Sequence, residues 1–201
     1  MHVNYRVATF ADLSNIVSVH CECFQGYFLT SLGKTLLYRY YEQFMIENNE
    51  LFIVAVEKDR IVGFVMGYFT GSHARADFEK KNKFFLAIRM IYLCAIFNKE
   101  AYRRVFLKTR SFFKRQKPSP VSAVDPKEAT LLSICMHPDY QGGGRAAEMV
   151  REFEKILLKH NKHVYVLSVK NYNTRGVRFY EKLGFSAQRA SDKEITFIKS
   201  I

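Results

Sequence analysis

The sequence predicts a mixed α/β fold, in which a central β-sheet is flanked by helices. Short apolar runs bounded by turn residues, which are typical of strands, recur at residues 51–56, 61–69, 129–136 and 164–169. Between them lie longer segments with apolar residues three and four positions apart, which indicate amphipathic helices. The chain has 201 residues, of which 48% are hydrophobic and 25% charged, so one globular domain over residues 1–201 is expected.

The first elements are a short strand at 5–7 and a helix that opens near Thr9 and Asp12. Threonine suits the position before a helix, and an acid in the first turn complements the helix dipole. A second helix is predicted over 31–46, where leucines and aromatics share one side. The aromatic residues of 24–32, between these two helices, are a candidate wall for a ligand, with simple packing as the alternative.

Two apolar strands follow and form a predicted hairpin over 51–56 and 61–69. Gly63 and Gly67 lie inside the second of these strands. A glycine in a strand indicates a bulge or the close approach of another backbone, since it carries no side chain.

The most informative stretch is 131–147, which reads LLSICMHPDYQGGGRAA. An apolar strand runs into a loop, and then Gly142, Gly143 and Gly144 precede a helix predicted over 144–160. The first backbone amides of a helix have no partner within it, and they attract anions together with the helix dipole. The stretch therefore predicts a cradle for a pyrophosphate, with a plain glycine-rich turn as the alternative.

Two well-known phosphate loops do not fit this stretch. A Walker loop ends in Gly-Lys-Ser/Thr, whereas Arg145 and Ala146 follow the last glycine here. A dinucleotide-binding loop follows its strand within two or three residues, whereas the strand here stops at 136–138 and residues 139–141 still lie between it and the glycines. A different kind of phosphate site is indicated.

The remaining elements complete the predicted sheet. A strand at 164–169 precedes a helix over 174–183, which Asn173 can cap and which ends before Gly184. A hairpin of the segments 185–188 and 194–199 ends the chain.

Two of these motifs resemble the GCN5-related N-acetyltransferase (GNAT) family. Gln141-x-x-Gly144-x-Ala146 is similar to the family's Gln/Arg-x-x-Gly-x-Gly/Ala signature at its acyl-CoA site. The segment 173–185 resembles the family's Asn-…-Phe-Tyr-x-x-x-Gly-Phe stretch. The resemblance covers about the last 75 residues well and about the first 70 loosely, but not the middle of the chain.

The resemblance implies a mixed, mostly antiparallel sheet of six to seven strands flanked by helices, with a helical insertion between strands 3 and 4. It also implies acetyl-CoA as acyl donor, without a metal. In the family, strand backbone binds the pantetheine arm and loop amides bind the pyrophosphate. The corresponding cofactor-binding residues here are Ile134, Cys135, Met136, Gln141, Gly142, Gly143, Gly144, Arg145, Ala146 and Asn173.

The resemblance also implies catalytic residues. Tyr180 matches the family's tyrosine that protonates the departing thiolate, and Glu128, at the start of the fourth strand, is the candidate general base, with water as the alternative. His137 directly after that strand is expected to be structural. Cys135 need not act as a nucleophile, because direct attack by an amine requires none.

The middle of the chain departs from the family pattern. A basic helical insertion of two or three helices is predicted at about 73–125. Between residues 73 and 120 there are 13 lysines and arginines against three acids, so most of the chain's net charge of +12 is local. Three interpretations compete: a solvated cover of the acceptor cleft, a collar that attracts an anionic acceptor, and peripheral contact with an anionic membrane. Nucleic acid is disfavoured because no recognisable nucleic-acid module accompanies the charge.

Composition narrows the remaining alternatives. The four cysteines lack metal-ligand spacing and lie in apolar segments, so buried free thiols are expected. No signal peptide or apolar run of spanning length is visible, so a cytoplasmic protein is expected. A homodimer stays an open alternative. The cysteines are Cys21, Cys23, Cys94 and Cys135.

The expected function is transfer of an acetyl group from acetyl-CoA to a primary amine of a small, anionic acceptor, for which a nucleotide-linked amino sugar is the candidate. Two alternatives stay open. One is a membrane-associated N-acyltransferase for longer chains, which the phenylalanine-rich insertion would suit. The other is a non-catalytic module that binds acyl-CoA.

Overall fold

A seven-stranded sheet organises residues 3–96 and 128–201, the part of the chain that the computed structural model describes. The strand order is β1-β2-β3-β4-β5-β7-β6, and every neighbouring pair is antiparallel except β4 and β5. This confirms the predicted mixed, mostly antiparallel sheet. The strands are β1 (Asn4–Val7), β2 (Phe52–Glu57), β3 (Arg60–Phe69), β4 (Ala129–Met136), β5 (Val164–Lys170), β6 (Ser186–Ala190) and β7 (Glu194–Ser200).

Helices cover both faces of the sheet, and each face has its own apolar core. The first core lies under α1, α3 and α4 and is rich in aromatic rings, including those of Tyr41 and Phe64. The second lies under α5 and α6 and includes Phe153 and Tyr165. The helices are α1 (Leu13–Cys23), α2 (Phe28–Ser31), α3 (Lys34–Asn48), α4 (Ala74–Ile96), α5 (Arg145–Lys159) and α6 (Thr174–Lys182).

The helix predicted over 31–46 is divided in the structure. The short helix α2 ends at Ser31, and α3 begins at Lys34. Gly33 stands between them with a φ of 90°, a backbone conformation that interrupts a right-handed helix and that glycine adopts at no steric cost. The predicted continuity was therefore wrong at this position, although the helical segment itself is confirmed.

The insertion between β3 and β4 begins with α4, which packs along α3. Phe78 and Leu86 are buried in this contact, and the Arg39 guanidinium donates to the Asn82 side chain at 3.0 Å. A helical insertion at this point of the chain is therefore confirmed. The rest of it, residues 97–127, lies outside the described residues, as do the further helices predicted there.

Two irregularities bend the middle of the sheet, and they occur where glycines were predicted to allow them. Val62 is an extra residue in β3 against β2, and Leu132 is an extra residue in β4 against β3. A Cβ on Gly67 would lie 2.4 Å from the Thr130 carbonyl oxygen and 2.6 Å from the Phe153 ring. The bulge at Leu132 and the close packing of α5 on the sheet thus depend on a residue without a side chain.

Candidate active site

A cleft opens where β4 and β5 separate. These parallel strands pair only at Ala129↔Tyr165 and Thr130↔Val166, immediately before the bulge at Leu132. Beyond that point, β4 continues beside β3 alone, and its other edge borders a cleft of about 570 Å³. The described residues that line the cleft are Cys23, Phe24, Tyr27, Ile134, Cys135, Met136, Gln141, Gly142, Gly144, Arg145, Ala146, Ala147, Asn173, Arg175, Gly176, Phe179, Tyr180, Lys182 and Leu183.

The backbone of β4 presents polar groups to this cleft. The His137 amide donates to the Val62 carbonyl, so the peptide groups of His137 point toward β3. Along a strand the peptide groups of successive residues point alternately to the two sides. The Met136 carbonyl points to the other side, where it accepts from the Gln141 side chain at 3.1 Å. By the same alternation the peptide groups of Ile134 also face the cleft, and they are available to an extended, amide-containing ligand.

A loop of three left-handed residues leads into α5. The φ angles of Gly142, Gly143 and Gly144 are 88°, 60° and 78°, values that residues other than glycine rarely adopt. The helical ladder starts only with the Glu148 amide, which donates to the Gly144 carbonyl. The amides before it have no acceptor within the helix, so the mouth of α5 offers a concave set of N–H groups to an anion.

Side chains fix this loop against the sheet and against α6. Gln141 donates to the Met136 carbonyl and accepts from the Arg175 guanidinium at 2.7 Å. The Arg145 guanidinium turns back and donates to the Tyr140 carbonyl at 3.3 Å. Arg145, Arg175 and Lys182 are all cationic, and no carboxylate lies among the described residues that line the cleft. The cleft therefore favours an anionic ligand.

Asn173 stands at the start of α6 and lines the cleft. Its side-chain oxygen accepts from the Gly176 amide at 3.0 Å, which caps the helix as predicted. The amide nitrogen of the same side chain remains as a donor group. The two interpretations made from sequence, a cap and a ligand contact, are therefore compatible.

Tyr180 reaches the cleft from α6 and is otherwise surrounded by aromatic rings. The ring centroids of Phe179 and Phe185 lie 5.2 and 5.4 Å from its own. Burial raises the pKa of Tyr180 well above the ordinary value of a phenol. The hydroxyl therefore stays protonated at neutral pH, in the form that can donate a proton.

Glu128 does not lie with the other candidates. It precedes β4, at the opposite end of the strand from the glycine loop, and it is not among the residues that line the cleft. Its carboxylate accepts from the backbone amides of His163 and Val164, the former contact being the larger cause of a lowered pKa. These contacts tie the start of β4 to β5 and give Glu128 a structural part.

A wall of the cleft comes from the segment between α1 and α2, within the aromatic stretch singled out in the sequence. Phe24 and Tyr27 line the cleft, and their rings meet edge to face with centroids 5.4 Å apart. Thr30 donates to the Phe24 carbonyl at 2.6 Å and accepts from His20, whose other ring nitrogen accepts from the Tyr41 hydroxyl at 2.5 Å. A buried, neutral histidine thus holds the wall to the core.

Several residues that line the cleft had no predicted role. Cys23 lies at the end of α1, far along the chain from the glycine motif, and no local pattern could have assigned it. Arg175 and Lys182 fall inside the 173–185 motif, where basic residues on a helix are usually solvated. Only the fold brings them to the cleft.

The chain is also similar to known proteins. The family model described as Acetyltransferase (GNAT) family matches residues 13–185. No curated protein matches the chain in sequence.

Among the described residues, no group of three potential ligands is placed to hold a metal ion. No helix within residues 3–96 or 128–201 combines the length and apolarity needed to cross a bilayer.

Solved structures share this fold at low sequence identity. The PaiA N-acetyltransferase from Thermoplasma acidophilum, in complex with coenzyme A, matches with a TM-score of 0.63 at 16% identity, over 100% of both chains. Ard1 from Thermoplasma volcanium matches with a TM-score of 0.62 at 15% identity, over 100% of this chain and 99% of that one. The ribosomal-protein-S18-alanine N-acetyltransferase from Escherichia coli has a TM-score of 0.57 at 14% identity, over 100% and 94%.

The histidine that holds the cleft wall predicts a dependence of stability on pH. Burial lowers the pKa of His20 to about 4, below its ordinary value of 6.5, so the unfolded chain takes up this proton first on acidification. The stability from neutral His20 is complete above pH 6.5 and is lost as pH falls to 4, by on the order of 3 kcal/mol. Urea unfolding at several pH values measures how the free energy of unfolding changes with pH. Between pH 6.5 and 4 this change should be smaller in His20→Gln than in the wild type.

The exposed His73 provides the control. His73→Gln should keep the wild-type loss of unfolding free energy between pH 6.5 and 4. If His20→Gln also keeps it, then His20 is not the group that is buried in its neutral form.

Proposed function

The chain belongs to the acetyltransferase (GNAT) family and is an acetyl-CoA-dependent N-acetyltransferase, and we propose that its acceptor is the primary amine of a small, anionic molecule. The observation that carries the proposal is the joint presence of an open β4 edge, a left-handed glycine loop and a buried tyrosine in one cationic cleft. No metal is part of the proposed chemistry.

The cleft fits the donor in charge and in shape. Its volume of about 570 Å³ lies within the range of ligand pockets, which is about 300–1,000 Å³. A diphosphate matches the amides at the mouth of α5 and the guanidinium of Arg145. A pantetheine arm, with its two amides, matches the peptide groups of β4 as an added strand.

Each cofactor residue inferred from the resemblance has a proposed role in this arrangement. The β4 residues and Asn173 hold the arm, and the loop amides hold the diphosphate. Gly143 does not line the cleft itself, and its part is to give the loop its left-handed path. The residues for the arm are Ile134, Cys135, Met136 and Asn173, and those for the diphosphate are Gln141, Gly142, Gly143, Gly144, Arg145 and Ala146.

Bound acetyl-CoA supplies a thioester whose carbonyl carbon is open to attack by an amine. The protein's part is to hold the two reactants together and to move protons. Tyr180 donates a proton to the departing sulfur, since burial keeps its hydroxyl protonated. The acceptor's proton leaves through water, because Glu128 is engaged by β5 backbone amides outside the cleft.

The acceptor is proposed to bind between the α1–α2 wall and the cationic side chains. Phe24 and Tyr27 offer ring faces and edges to a planar or sugar group, and Arg175 and Lys182 offer positive charge to a phosphate or carboxylate. A nucleotide-linked amino sugar combines these features with a primary amine and is the candidate that we favour.

A second candidate function is suggested by α4. Phe84, Ile88 and Ile91 form a stripe along this helix and are 68%, 49% and 69% exposed. The exposed Lys80 and Lys83 precede this stripe in the same helix. Apolar side chains flanked by lysines suit the surface of an anionic bilayer. This arrangement favours an enzyme that meets its acceptor, or a longer acyl chain, at a membrane.

Replacing a glycine of the loop should weaken cofactor binding. Alanine in a left-handed conformation costs roughly 1–2 kcal/mol, and the loop relieves this strain by moving its amides away from the diphosphate. We expect Gly144→Ala to weaken CoA binding about tenfold in calorimetry. Gly71→Ala is the matched control, because Gly71 has a φ of 98°, has no atom within 4 Å of an added Cβ, and lies outside the cleft. Equal affinities in the two variants would contradict the cradle.

Removing the Tyr180 hydroxyl should impair turnover without impairing binding. Proton donation by a positioned group contributes on the order of 10²–10⁴-fold in rate, so kcat of Tyr180→Phe should fall by at least 10²-fold. Release of free CoA is measured over a panel of amines that includes nucleotide-linked amino sugars, and CoA affinity is measured beside it. The exposed Tyr172→Phe is the control. Unchanged kcat in Tyr180→Phe would remove this residue from the mechanism.

The membrane candidate is tested by sedimentation with vesicles. Wild-type protein should bind vesicles that contain phosphatidylserine, and the double variant Phe84→Asp/Ile91→Asp should bind about tenfold less. Tyr172→Asp, an equally exposed site away from α4, controls for the added charge. If the wild-type protein stays in the supernatant when these vesicles sediment, the second candidate fails and the first is unaffected.

A further inference from the structure

Two thiols meet inside the cleft, and the proposed chemistry uses neither. Cys23 is the last residue of α1, and Cys135 is in β4 between Ile134 and Met136. Both line the cleft, and both pack in the apolar core under α1 and α3. The carboxylate of Glu22, beside Cys23, lies 2.9 Å from the ring of His137, which holds the end of α1 against the end of β4. Direct attack by an amine requires no nucleophile from the protein, so the acetyl transfer does not account for these thiols.

The two thiols differ in access and in acidity. Cys135 is buried, whereas Cys23 is partly exposed and can be reached through the cleft. The contact with Cys135 is the largest influence on Cys23 and lowers its pKa, against the opposing effects of burial and of Glu22. Burial raises the pKa of Cys135. The accessible thiol therefore forms a thiolate first, and the second thiol lies directly behind it, the arrangement of an attacking and a resolving cysteine.

We propose that Cys23 and Cys135 form a modification site at which a small-molecule disulfide produces an internal disulfide across the cleft. In the first step the Cys23 thiolate attacks one sulfur of the reagent, forms a mixed disulfide, and releases one thiolate. In the second step Cys135 loses its proton to water and attacks the Cys23 sulfur, which releases the other thiolate. The protein loses two electrons and two protons, and the reagent becomes two thiols.

The internal disulfide changes the site that the cofactor needs. A covalent S–S bond is shorter than any non-bonded contact between two sulfurs, so the end of α1 moves toward β4. This movement narrows the cleft beside the peptide groups of Ile134 and Met136, which the proposed function assigns to the pantetheine arm. On that assignment, oxidation weakens CoA binding, and a thiol reductant restores it.

Glutathione disulfide is the probe, and peptide mapping by mass spectrometry after alkylation of free thiols is the primary measurement. The reduced wild type should yield the Cys23–Cys135 cross-linked peptide. The matched control is Cys21→Ser, which alters a partly buried thiol of the same helix and should yield the same peptide. Cys23→Ser should yield no cross-link, and Cys135→Ser should retain glutathione on Cys23, because it has no resolving thiol.

Calorimetry with CoA before and after oxidation is the second measurement. We expect at least a tenfold loss of affinity in the wild type and Cys21→Ser, recovered with dithiothreitol, and no loss in Cys23→Ser. Absence of the cross-link, or glutathione that stays on wild-type Cys23, would overturn the proposal. A cross-link without loss of affinity would overturn its effect on the cleft. A reduced protein that does not bind CoA would count against the proposed function, whereas the mapping would still decide the thiol chemistry.

Discussion

The separation of β4 from β5 is the constraint on which the rest of the site depends. The two strands share only two paired positions, and the bulge at Leu132 follows directly. A bulge increases local twist and ends regular pairing, so the peptide groups beyond it lose their partner on one side. Unpaired backbone groups in a protein interior are costly, and a ligand with amides of its own can satisfy them. The same break that weakens the sheet thus creates a binding edge.

The other parts of the site are arranged around this edge by contacts distant in sequence. Gly67 admits the Phe153 ring close to the sheet, and this sets how near α5 lies to β4. Gln141 links the Met136 carbonyl to Arg175, so the glycine loop is tied both to the strand and to the start of α6. These contacts hold the loop amides in one orientation, as a site for a diphosphate requires.

The sequence predicted the strands and most helices because their apolar patterns are local. It failed where one residue's conformation or a distant contact decides the outcome. Gly33 ends a helix that the surrounding apolar spacing would continue, since its backbone is left-handed. The surroundings of Glu128 also depend on distant contacts, since the amide partners of its carboxylate lie 35 and 36 residues away. Cys23 and Cys135 come from opposite halves of the chain to line the same cleft, and no motif encodes this arrangement.

Hydrogen–deuterium exchange in the presence and absence of CoA reports on individual backbone amides and so tests whether the cofactor binds along the open edge of β4. We expect CoA to slow exchange at the amides of Ile134 and Met136 and at those of residues 142–147, while exchange in the β1–β2 pair stays unchanged. Binding of CoA that leaves these amides exchanging at their original rate would contradict this expectation, since the cofactor would then lie elsewhere.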